Sequence, residues 1–598
     1  RRTTAVAVVS TLADEARDFR DVALRARVQA RAADVLWETE REKARALFRR
    51  AFEAADAADR ESQRKFEEEL QRGRAGGGPF VTTTRTLNLR GEVLRLAARR
   101  DRALGEEFLN RVDEARRQEL EDVKRQDAAA QTSSAAPTPT PAQPRSQSDN
   151  NPSQAQRLGL AEQLVRDGEV EAGVQFGGPA LAGKVTQQAV SFLTYLREKD
   201  PAAADKLYAS VLARAAADPE SDANTVSLLA SYVFSPHTYV TFTPTGGAST
   251  SRMGEGLPRP AEVSPQLRAA YLNAAASILL RPLSPAEQDA TSTARVGTYL
   301  VVARLLPIFE QHAPDKVAAL NTKLAALAPD TPERLRQRNN RALTEGLVPD
   351  DPTRDRVQEH LNRLNSAKDA SDRDEIYLNA AMAAADRDDP RAAEFADKIE
   401  NLDLRRQLRA VLAFEALREA LSDWRDKKQE RDPADMLRLA RSDALTPIQR
   451  AWGLTELARL LSKPDAPRAV EILEEAFAEA RRIDLGSPDR ARALVAIATQ
   501  FVALDRGRAW EVMSEVVKAS NSAAEFTGED GQVSVTLRSK NSGIVNSSSA
   551  DSFDLAGVFA ALAKEDLDRA LQLARAFTGE APRAAATLAV ARAVLEKK

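Results

Sequence analysis

Residues 490–513 read RARALVAIATQFVALDRGRAWEVM, and the spacing of their apolar side chains decides the fold class. The first apolar set recurs at i, i+3, i+4, i+7 and i+8, and its members are Leu494, Ile497, Ala498, Phe501 and Val502. A second set repeats this spacing after a short turn and continues just beyond the quoted stretch, and its members are Ala509, Val512, Met513, Val516 and Val517. This period is that of one face of an α-helix. Because few residues separate the two sets, the stretch predicts an antiparallel pair of helices.

The turn within this stretch carries a motif, Asp-x-x-Arg-Ala, that recurs along the chain. It begins at Asp388, Asp465, Asp505 and Asp566, and Glu40-Arg-Glu-Lys-Ala44 is a looser version. An aspartate before a helix accepts hydrogen bonds from free N–H groups of the first turn, and its charge suits the positive helix end. The alanine lets the two helices approach closely. We therefore predict that the four aspartates cap the second helix of a hairpin, which is a structural role rather than a catalytic one.

A longer self-similarity links distant parts of the sequence. The stretch RARVQARAADVLWETEREKARALF, which begins at Arg25, aligns with the one that begins at Arg490, and residues 92–101 align with residues 557–566. Both offsets are 465 residues, and both copies have two helical patterns, a polar insertion and then further helical patterns. Because the offset is the same before and after the insertion, we infer a duplicated four-helix unit within a repeat array.

In its paired helices and repeated joints, the chain resembles the α-solenoid superfamily of tetratricopeptide or HEAT-like repeat proteins. The resemblance covers residues 20–125 and 370–598. It implies an all-α fold, namely an α-solenoid of antiparallel helix hairpins. It also implies an extended surface of stacked helices on which other proteins can bind.

Residues 127–156 divide the sequence because they contain almost no large apolar side chain. They read DAAAQTSSAAPTPTPAQPRSQSDNNPSQAQ, and the alternation of Thr and Pro favours extended polyproline II structure. Such a segment buries too little surface to offset its loss of conformational entropy. We therefore predict an N-terminal helical-repeat piece over 1–126, a linker over 127–156, a helical domain over 157–350 and a C-terminal helical-repeat domain over 351–598.

Three stretches depart from the helical pattern, at residues 80–89, 239–243 and 532–537. In each, β-branched and polar residues alternate between turn-forming residues, which predicts short strands or hairpins inserted into the solenoid. The third lies in an insertion over 523–552. Insertions project from one face of a solenoid and often bind partners, so the candidate interaction residues are Phe80, Tyr239, Phe242, Val533, Val535 and Leu537. The alternative is a surface loop with no role in binding.

The composition of the chain excludes several classes of site. Its 598 residues include no cysteine, which excludes a disulfide, a thiol nucleophile and cysteine-ligated metals. The histidines are His237, His312 and His360, and none has a histidine partner on the same helix face for a metal. Residues 178–184, GPALAGK, have the spacing of a phosphate-binding loop, but Val185 replaces the hydroxyl residue, so we interpret them as a turn before a helix. We expect no cofactor, no metal and no enzymatic activity.

Charge and hydropathy bear on partners and location. The chain has 86 basic and 89 acidic residues, which alternate along the helices, and only 5% of its residues are aromatic, so we expect no nucleic-acid partner. No run approaches the roughly 20 apolar residues of a transmembrane helix. The apolar stretch within residues 1–9 is short for a signal peptide. The absence of cysteine fits either an exported protein or a thermally stressed one, and we favour an exported location, periplasmic or extracellular, over a cytoplasmic one.

The function that this pattern favours is a non-catalytic helical-repeat scaffold that mediates protein–protein interaction. The alternative is a self-assembling structural subunit of a cell-envelope or extracellular polymer, because open repeat stacks propagate unless they are capped. The expected partner is accordingly another protein or further copies of this chain. A third class, an enzyme built as a helical toroid, would need two close carboxylates and an aromatic platform.

Overall fold

A computed structural model gives the structure of the chain, and its contacts divide the chain into two compact units. Unit 1 comprises Arg1–Leu87 and Pro352–Lys598, and unit 2 comprises Asn88–Asp351. This grouping differs from the domains expected from the sequence, which stay predictions. The structure describes residues 1–75, 88–133, 152–242, 247–252, 262–282, 294–336, 341–344, 347, 355–387, 389–426, 432–523, 525–529, 531–538, 543–549 and 553–595.

Helices dominate both units. Between Arg1 and Asp351 the elements are α1 (Arg2–Glu15), α2 (Val22–Leu36), α3 (Arg41–Ala75), α4 (Leu89–Arg100), α5 (Arg102–Ser133), α6 (Pro152–Arg166), α7 (Val170–Ala180), α8 (Gln187–Lys199), α9 (Pro201–Ala217), α10 (Ala223–Phe234), β1 (Thr238–Phe242), β2 (Ala248–Arg252), α11 (Pro265–Leu279), α12 (Ala294–His312), α13 (Pro314–Leu327), α14 (Glu333–Arg336) and α15 (Arg341–Thr344). Between Pro352 and Lys598 they are α16 (Arg356–Leu361), α17 (Ala370–Ala385), α18 (Arg391–Asp397), α19 (Leu402–Arg425), α20 (Pro433–Ala440), α21 (Pro447–Leu461), α22 (Ala466–Arg482), α23 (Pro488–Leu504), α24 (Arg506–Ser522), β3 (Gln532–Arg538), β4 (Gly543–Ser549), α25 (Leu555–Glu565), α26 (Leu567–Arg575) and α27 (Glu580–Leu595).

The helices pair in the order in which they follow one another. Helices α21 and α22 pack together, as do α23 and α24. The face that α22 buries has the helical period, and its members are Ala469, Ile472, Leu473, Ala476 and Ala480. The fold is therefore the predicted all-α one, an α-solenoid type of structure built from helix hairpins. Among the described residues, none of the helices is both long enough and apolar enough to cross a membrane.

The aspartates of the repeated joints lie at the beginnings of second helices. The carboxylate of Asp465 accepts a hydrogen bond from the Arg468 N–H at 3.1 Å. Asp505 likewise accepts from the Arg508 N–H, and Asp566 accepts from the Arg569 N–H, each at 3.0 Å. The alanines that end these three motifs are fully buried, as close approach of two helices requires. Asp388 lies outside the described residues, whereas its neighbour Asp389 accepts from the Arg391 N–H at 3.0 Å.

Removing one of these capping carboxylates should lower the free energy of unfolding. We expect Asp505→Ala to lower the free energy of unfolding of unit 1 by about 1 kcal/mol, because an N–H at the start of α24 loses its acceptor. Asp505→Asn keeps an acceptor there and should cost much less. Urea unfolding followed by circular dichroism measures both values. Equal losses in the two variants would contradict a capping role for the side chain.

The hairpin stack of unit 1 continues from the end of the sequence into its beginning. The first helices of successive hairpins, α21, α23, α25, α27 and α2, contact one another in this order. Helix α1 packs along α27, and the Arg2 guanidinium at the start of α1 donates to the Leu595 carbonyl at the end of α27 at 3.5 Å. Helices α27 and α1 therefore occupy one hairpin of the stack, although they lie at opposite ends of the chain.

A repeated side-chain contact supports this order. The basic residue three positions after the first residue of the joint reaches back to the preceding second helix. Arg508 lies 4.8 Å from the Phe477 ring of α22, and Arg569 lies 4.2 Å from the Trp510 ring of α24. At the looser joint, the ammonium of Lys43 is 2.6 Å from the hydroxyl of Ser10 on α1. Helix α1 thus takes the place of a preceding second helix.

Two antiparallel hairpins interrupt the helices. Strand β1 pairs with β2 with Tyr239 opposite Ser251, and β3 pairs with β4 with Val533 opposite Ser548. Both lie where residue alternation predicted strands, so that prediction is confirmed. The predicted strand at 80–89 lies almost entirely outside the described residues. Strand β1 packs on α10 in unit 2, and β3 packs on α19 in unit 1.

Candidate functional site

The predicted interaction residues on the strands have mostly buried side chains. Tyr239 and Phe242 in unit 2, and Val533 and Leu537 in unit 1, are at most 4% exposed. Val533 joins the core of hairpins α21–α27, whereas Leu537 joins a second core around α17 and α19. These four side chains therefore pack the core in this structure. Phe80 and the side chain of Val535 lie outside the described part of the chain. Interaction through the outer edges of the strands stays a prediction.

The residues considered for metal or phosphate chemistry are three histidines and the stretch 178–184. His312 stacks 6.2 Å from Phe234, whereas His360 lies on α16. Among the described residues, no group of three histidine, aspartate or glutamate side chains could hold a metal. In the stretch 178–184, helix α7 ends at Ala180, and α8 begins after Thr186, whose hydroxyl accepts from the Ala189 N–H. Gly178 thus lies in the last turn of α7, and Gly183 lies in the connection between α7 and α8.

Unit 2 contains a partly buried polar cluster that sequence reasoning missed. His237 has a φ of +64°, which is uncommon outside glycine, and its Nε2 lies 2.6 Å from the Oε1 of Glu198. The His237 ring lies 4.8 Å from the Tyr195 ring, and the Arg166 guanidinium lies 3.9 Å from the centre of the Tyr195 ring. Arg166 also pairs with Glu162 at 3.3 Å. The cluster joins α6 and α8 to the turn before β1.

Buried tyrosines make the stability of unit 2 depend on pH. Burial raises the pKa of the Tyr239 hydroxyl to about 12, against a smaller opposing effect of the neighbouring Ser191 and Thr194 hydroxyls. Burial also raises the pKa of Tyr208 and Tyr271. Between pH 10 and pH 12 the unfolded chain therefore loses protons that the folded chain keeps. Stability is complete below pH 10 and falls as the pH rises through 12.

We expect Tyr239→Phe to flatten this fall by up to about 1.4 kcal/mol per pH unit between pH 10 and 12, because one titrating group is removed. Urea unfolding at intervals of pH measures the slope. Tyr377→Phe, on the half-buried face of α17 in unit 1, is the control. An equal slope in wild type and Tyr239→Phe would show that the buried hydroxyl does not stay protonated.

Unit 1 contains a cleft of about 1080 Å³ along α25 and α27, which we call the α25–α27 cleft. Helix α25 lines it with a stripe at i, i+4, i+7 and i+8, and the members are Ala556, Ala560, Ala563 and Lys564. Helix α27 lines it with a second stripe at i, i+3, i+4, i+7 and i+8, and the members are Ala585, Leu588, Ala589, Arg592 and Ala593. Because most of these side chains end at Cβ, the two neighbouring helices leave space between their faces.

Residues from distant parts of the sequence close the cleft at its edges. Arg31 and Val35 enter from α2, Arg2 from α1, and Glu529 from the connection after α24. Gly528 stands beside Glu529 with a φ of +79°, a conformation that suits glycine, and a Cβ there would lie 2.7 Å from a methyl carbon of Leu555. The close approach of this connection to α25 therefore needs glycine.

The charges around the cleft are predominantly positive. Five of the lining residues are basic, Arg1, Arg2, Arg31, Lys564 and Arg592, and two are acidic, Glu529 and Asp554. Arg31 pairs with Glu529, and Arg592 pairs with the buried Asp34 of α2. Asp554 caps α25 by accepting from the Gly557 N–H at 2.7 Å. Lys564 is exposed and has no acidic partner among the described residues. The cleft therefore presents more positive charge than its own acids neutralise.

The sequence contained part of the signal for this cleft. Alanines at helical spacing that end beside Lys564 indicate a face for close helix packing, but the sequence does not show which helix covers it. Helix α27 lies next to this face of α25, and α2 borders the cleft at its edge. Helix α2 is more than 500 residues away from both in sequence, and Asp34 of α2 pairs with Arg592 of α27 across a separation of 558 residues.

Comparison with known proteins leaves the chain without an assigned family. No protein family matches the sequence, and no curated protein is significantly similar to it. Among solved structures, it is similar to a circular tandem repeat protein with novel repeat topology and enhanced subunit contact surfaces. That likeness has 14% identity over 99% of this chain and 97% of the other, and its TM-score is 0.13. At this TM-score the likeness carries no structural argument, so the helical-repeat class rests on the helices and contacts described above.

Proposed function

We propose that this chain is a non-catalytic helical-repeat protein that binds another protein in the α25–α27 cleft. The single observation that carries the proposal is the cleft itself, about 1080 Å³ in volume and formed by three neighbouring first helices of the stack. A volume of this order is enough to surround a ligand rather than a single ion. Grooves of stacked helices are recurrent sites of protein recognition.

The chemistry of the lining supports binding rather than catalysis. Among the lining residues that the structure describes, none is a serine, threonine, tyrosine, cysteine or histidine. Both carboxylates are already engaged, because Glu529 pairs with Arg31 and Asp554 caps α25. A general acid or base must be free to exchange a proton with a substrate. The lining offers cations and apolar surface, which recognise a ligand without transforming it.

Filling the cleft tests this proposal. Ala556 is exposed and lines the cleft, so Ala556→Trp should occupy it without disturbing the core. The control is Ala478→Trp, at an exposed position in the middle of α22 that does not line the cleft. Full-length wild type and both variants are immobilised and exposed to extract of the source cells, and the proteins retained are quantified by mass spectrometry.

We expect a discrete set of proteins to be retained by wild type and by Ala478→Trp and lost with Ala556→Trp. Circular dichroism should be the same for all three chains. Retention of the same proteins by Ala556→Trp would show that they bind elsewhere and would overturn the assignment of the cleft. Retention of none by wild type would count against the binding function itself.

A further inference from the structure

We propose that the α25–α27 cleft binds an extended acidic peptide segment, an inference that rests on the proposed function and specifies its partner. The cleft follows α25 from Asp554 to Lys564, which spans about 15 Å at 1.5 Å per helical residue. An extended chain advances roughly 3.3 Å per residue, so about four to five residues of a peptide fit along it. The proposal concerns a peptide rather than a free ion because the cleft is long.

Charge complementarity determines the acidic character of the segment. After Arg31 and Arg592 have paired with Glu529 and Asp34, the basic lining residues outnumber the remaining acid, which is Asp554. Arg2 donates to a neutral backbone carbonyl, and its charge is therefore not neutralised by that bond. A peptide carboxylate placed beside these groups gains attraction that a neutral or basic peptide lacks. The whole chain is formally −3, so this positive cleft departs from the average surface.

The first turn of α25 adds to the same preference. Residues 554–557, which form the start of α25, line the cleft, and the Asp554 carboxylate accepts a hydrogen bond from the Gly557 N–H. The N-terminal end of a helix carries partial positive charge, which favours an anionic partner. This contribution is secondary to that of the side chains.

The apolar part of the lining determines the size of the peptide side chains that lie between the acidic ones. Alanines of α25 and α27 form the walls, and Phe553 is the one aromatic among the lining residues that the structure describes. A single aromatic is too few to stack successive bases, which makes the cleft a poor match for a nucleic acid strand. Short aliphatic side chains between the carboxylates would instead contact the alanine walls. The segment that fits has acidic residues alternating with small ones.

The experiment measures fluorescence anisotropy of labelled hexapeptides with the full-length chain. The probes are Glu-Ala-Glu-Ala-Glu-Ala and its glutamine analogue Gln-Ala-Gln-Ala-Gln-Ala. The test variant is Lys564→Glu at the cleft, and the matched control is Lys463→Glu, an exposed lysine after α21 outside the cleft. We expect the glutamate peptide to bind more tightly than the glutamine peptide, with an affinity that falls as salt is added.

Lys564→Glu should weaken binding of the glutamate peptide about fivefold to tenfold, because a favourable exposed charge becomes an unfavourable one. Lys463→Glu should change it by less than about twofold. Equal binding of both peptides, or no effect of Lys564→Glu, would overturn the acidic class. Binding of inorganic phosphate, measured by calorimetry, without binding of either peptide would reveal an anion site only and would also overturn it.

The two proposals fail in different ways. If neither peptide binds but Ala556→Trp still abolishes protein capture, the cleft binds proteins and the acidic class is wrong. If the glutamate peptide binds equally well to Ala556→Trp, the peptide site lies elsewhere on the chain. If neither peptide binds and Ala556→Trp retains every captured protein, both proposals are wrong.

Discussion

Val9→Asp is expected to lower the free energy of unfolding of unit 1 by about 3 kcal/mol or more, because it places a carboxylate at a buried position that evolved for an apolar side chain. Val9 is fully buried in α1, and α1 packs against α27 and α2. The carboxylate can reach water only if α1 leaves this position. We therefore expect the substitution to release α1 from α27 at a temperature at which the rest of the stack is still folded.

Hydrogen exchange followed by mass spectrometry measures this release. Peptides from α1 and α27 should exchange faster together in Val9→Asp, although the two helices are at opposite ends of the chain. Ala7→Asp is the matched control, since Ala7 is exposed on the same helix and its carboxylate stays in water. Faster exchange in α1 alone would contradict the pairing of α1 with α27.

Static light scattering on the same variant bears on self-assembly. A released α1 leaves the face of α27 open, and a second copy could supply its own α1 to that face, since exchange of an identical element is a low-cost route to dimers. We expect Val9→Asp to form more dimer than wild type or Ala7→Asp at the same concentration. A monomer at every concentration would show that the exposed face of α27 does not recruit another copy.

Phe559→Ala is expected to have the second large effect, a loss of about 3–5 kcal/mol from the free energy of unfolding of unit 1. Phe559 is fully buried in α25, with its ring centroid 6.1 Å from that of Phe577. Truncation removes apolar area from the core and leaves a cavity among helices that also support their neighbours. Because α25 lies within the stack, the surrounding hairpins can collapse into this space only in part.

Chemical denaturation of the full chain measures the loss. Leu402→Ala also truncates an apolar side chain, but at a position that is 67% exposed, so its effect should stay within about 0.5 kcal/mol. If the two substitutions cost the same, Phe559 does not have the packing that the structure shows. A loss well below 2 kcal/mol would indicate that α25 relaxes into the vacated space.

Hairpins, caps and strands could be read from the sequence because each depends on neighbours within a few residues. The apolar period of α23 and α24 marks their buried faces, and the helices follow it. Asp465, Asp505 and Asp566 accept from the N–H three residues on, a contact that the joint motif contains in itself. Alternation at residues 239–243 and 532–537 likewise marks strands, and each pairs with a strand close to it in sequence.

The faces of those strands could not be assigned in this way. Alternation separates two sets of side chains but does not say which element covers either set. Tyr239 and Phe242 were expected to meet a partner, and they are buried in unit 2, where β1 packs on α10. Val533 and Leu537 enter the two cores of unit 1. Their environment depends on helices that are distant in sequence.

The sequence by itself determined the helical period, the joints between hairpins and the places where strands interrupt them, because these are local properties of the backbone and its nearest side chains. Only the tertiary structure decided that α1 completes a hairpin with α27, that Arg592 meets Asp34 across 558 residues, and that alanine faces of α25 and α27 border a positive cleft. The physical reason is that burial is a property of pairs of surfaces. The apolar stripe of one helix indicates which side chains can be buried, but the surface that covers them is determined only when the chain has folded.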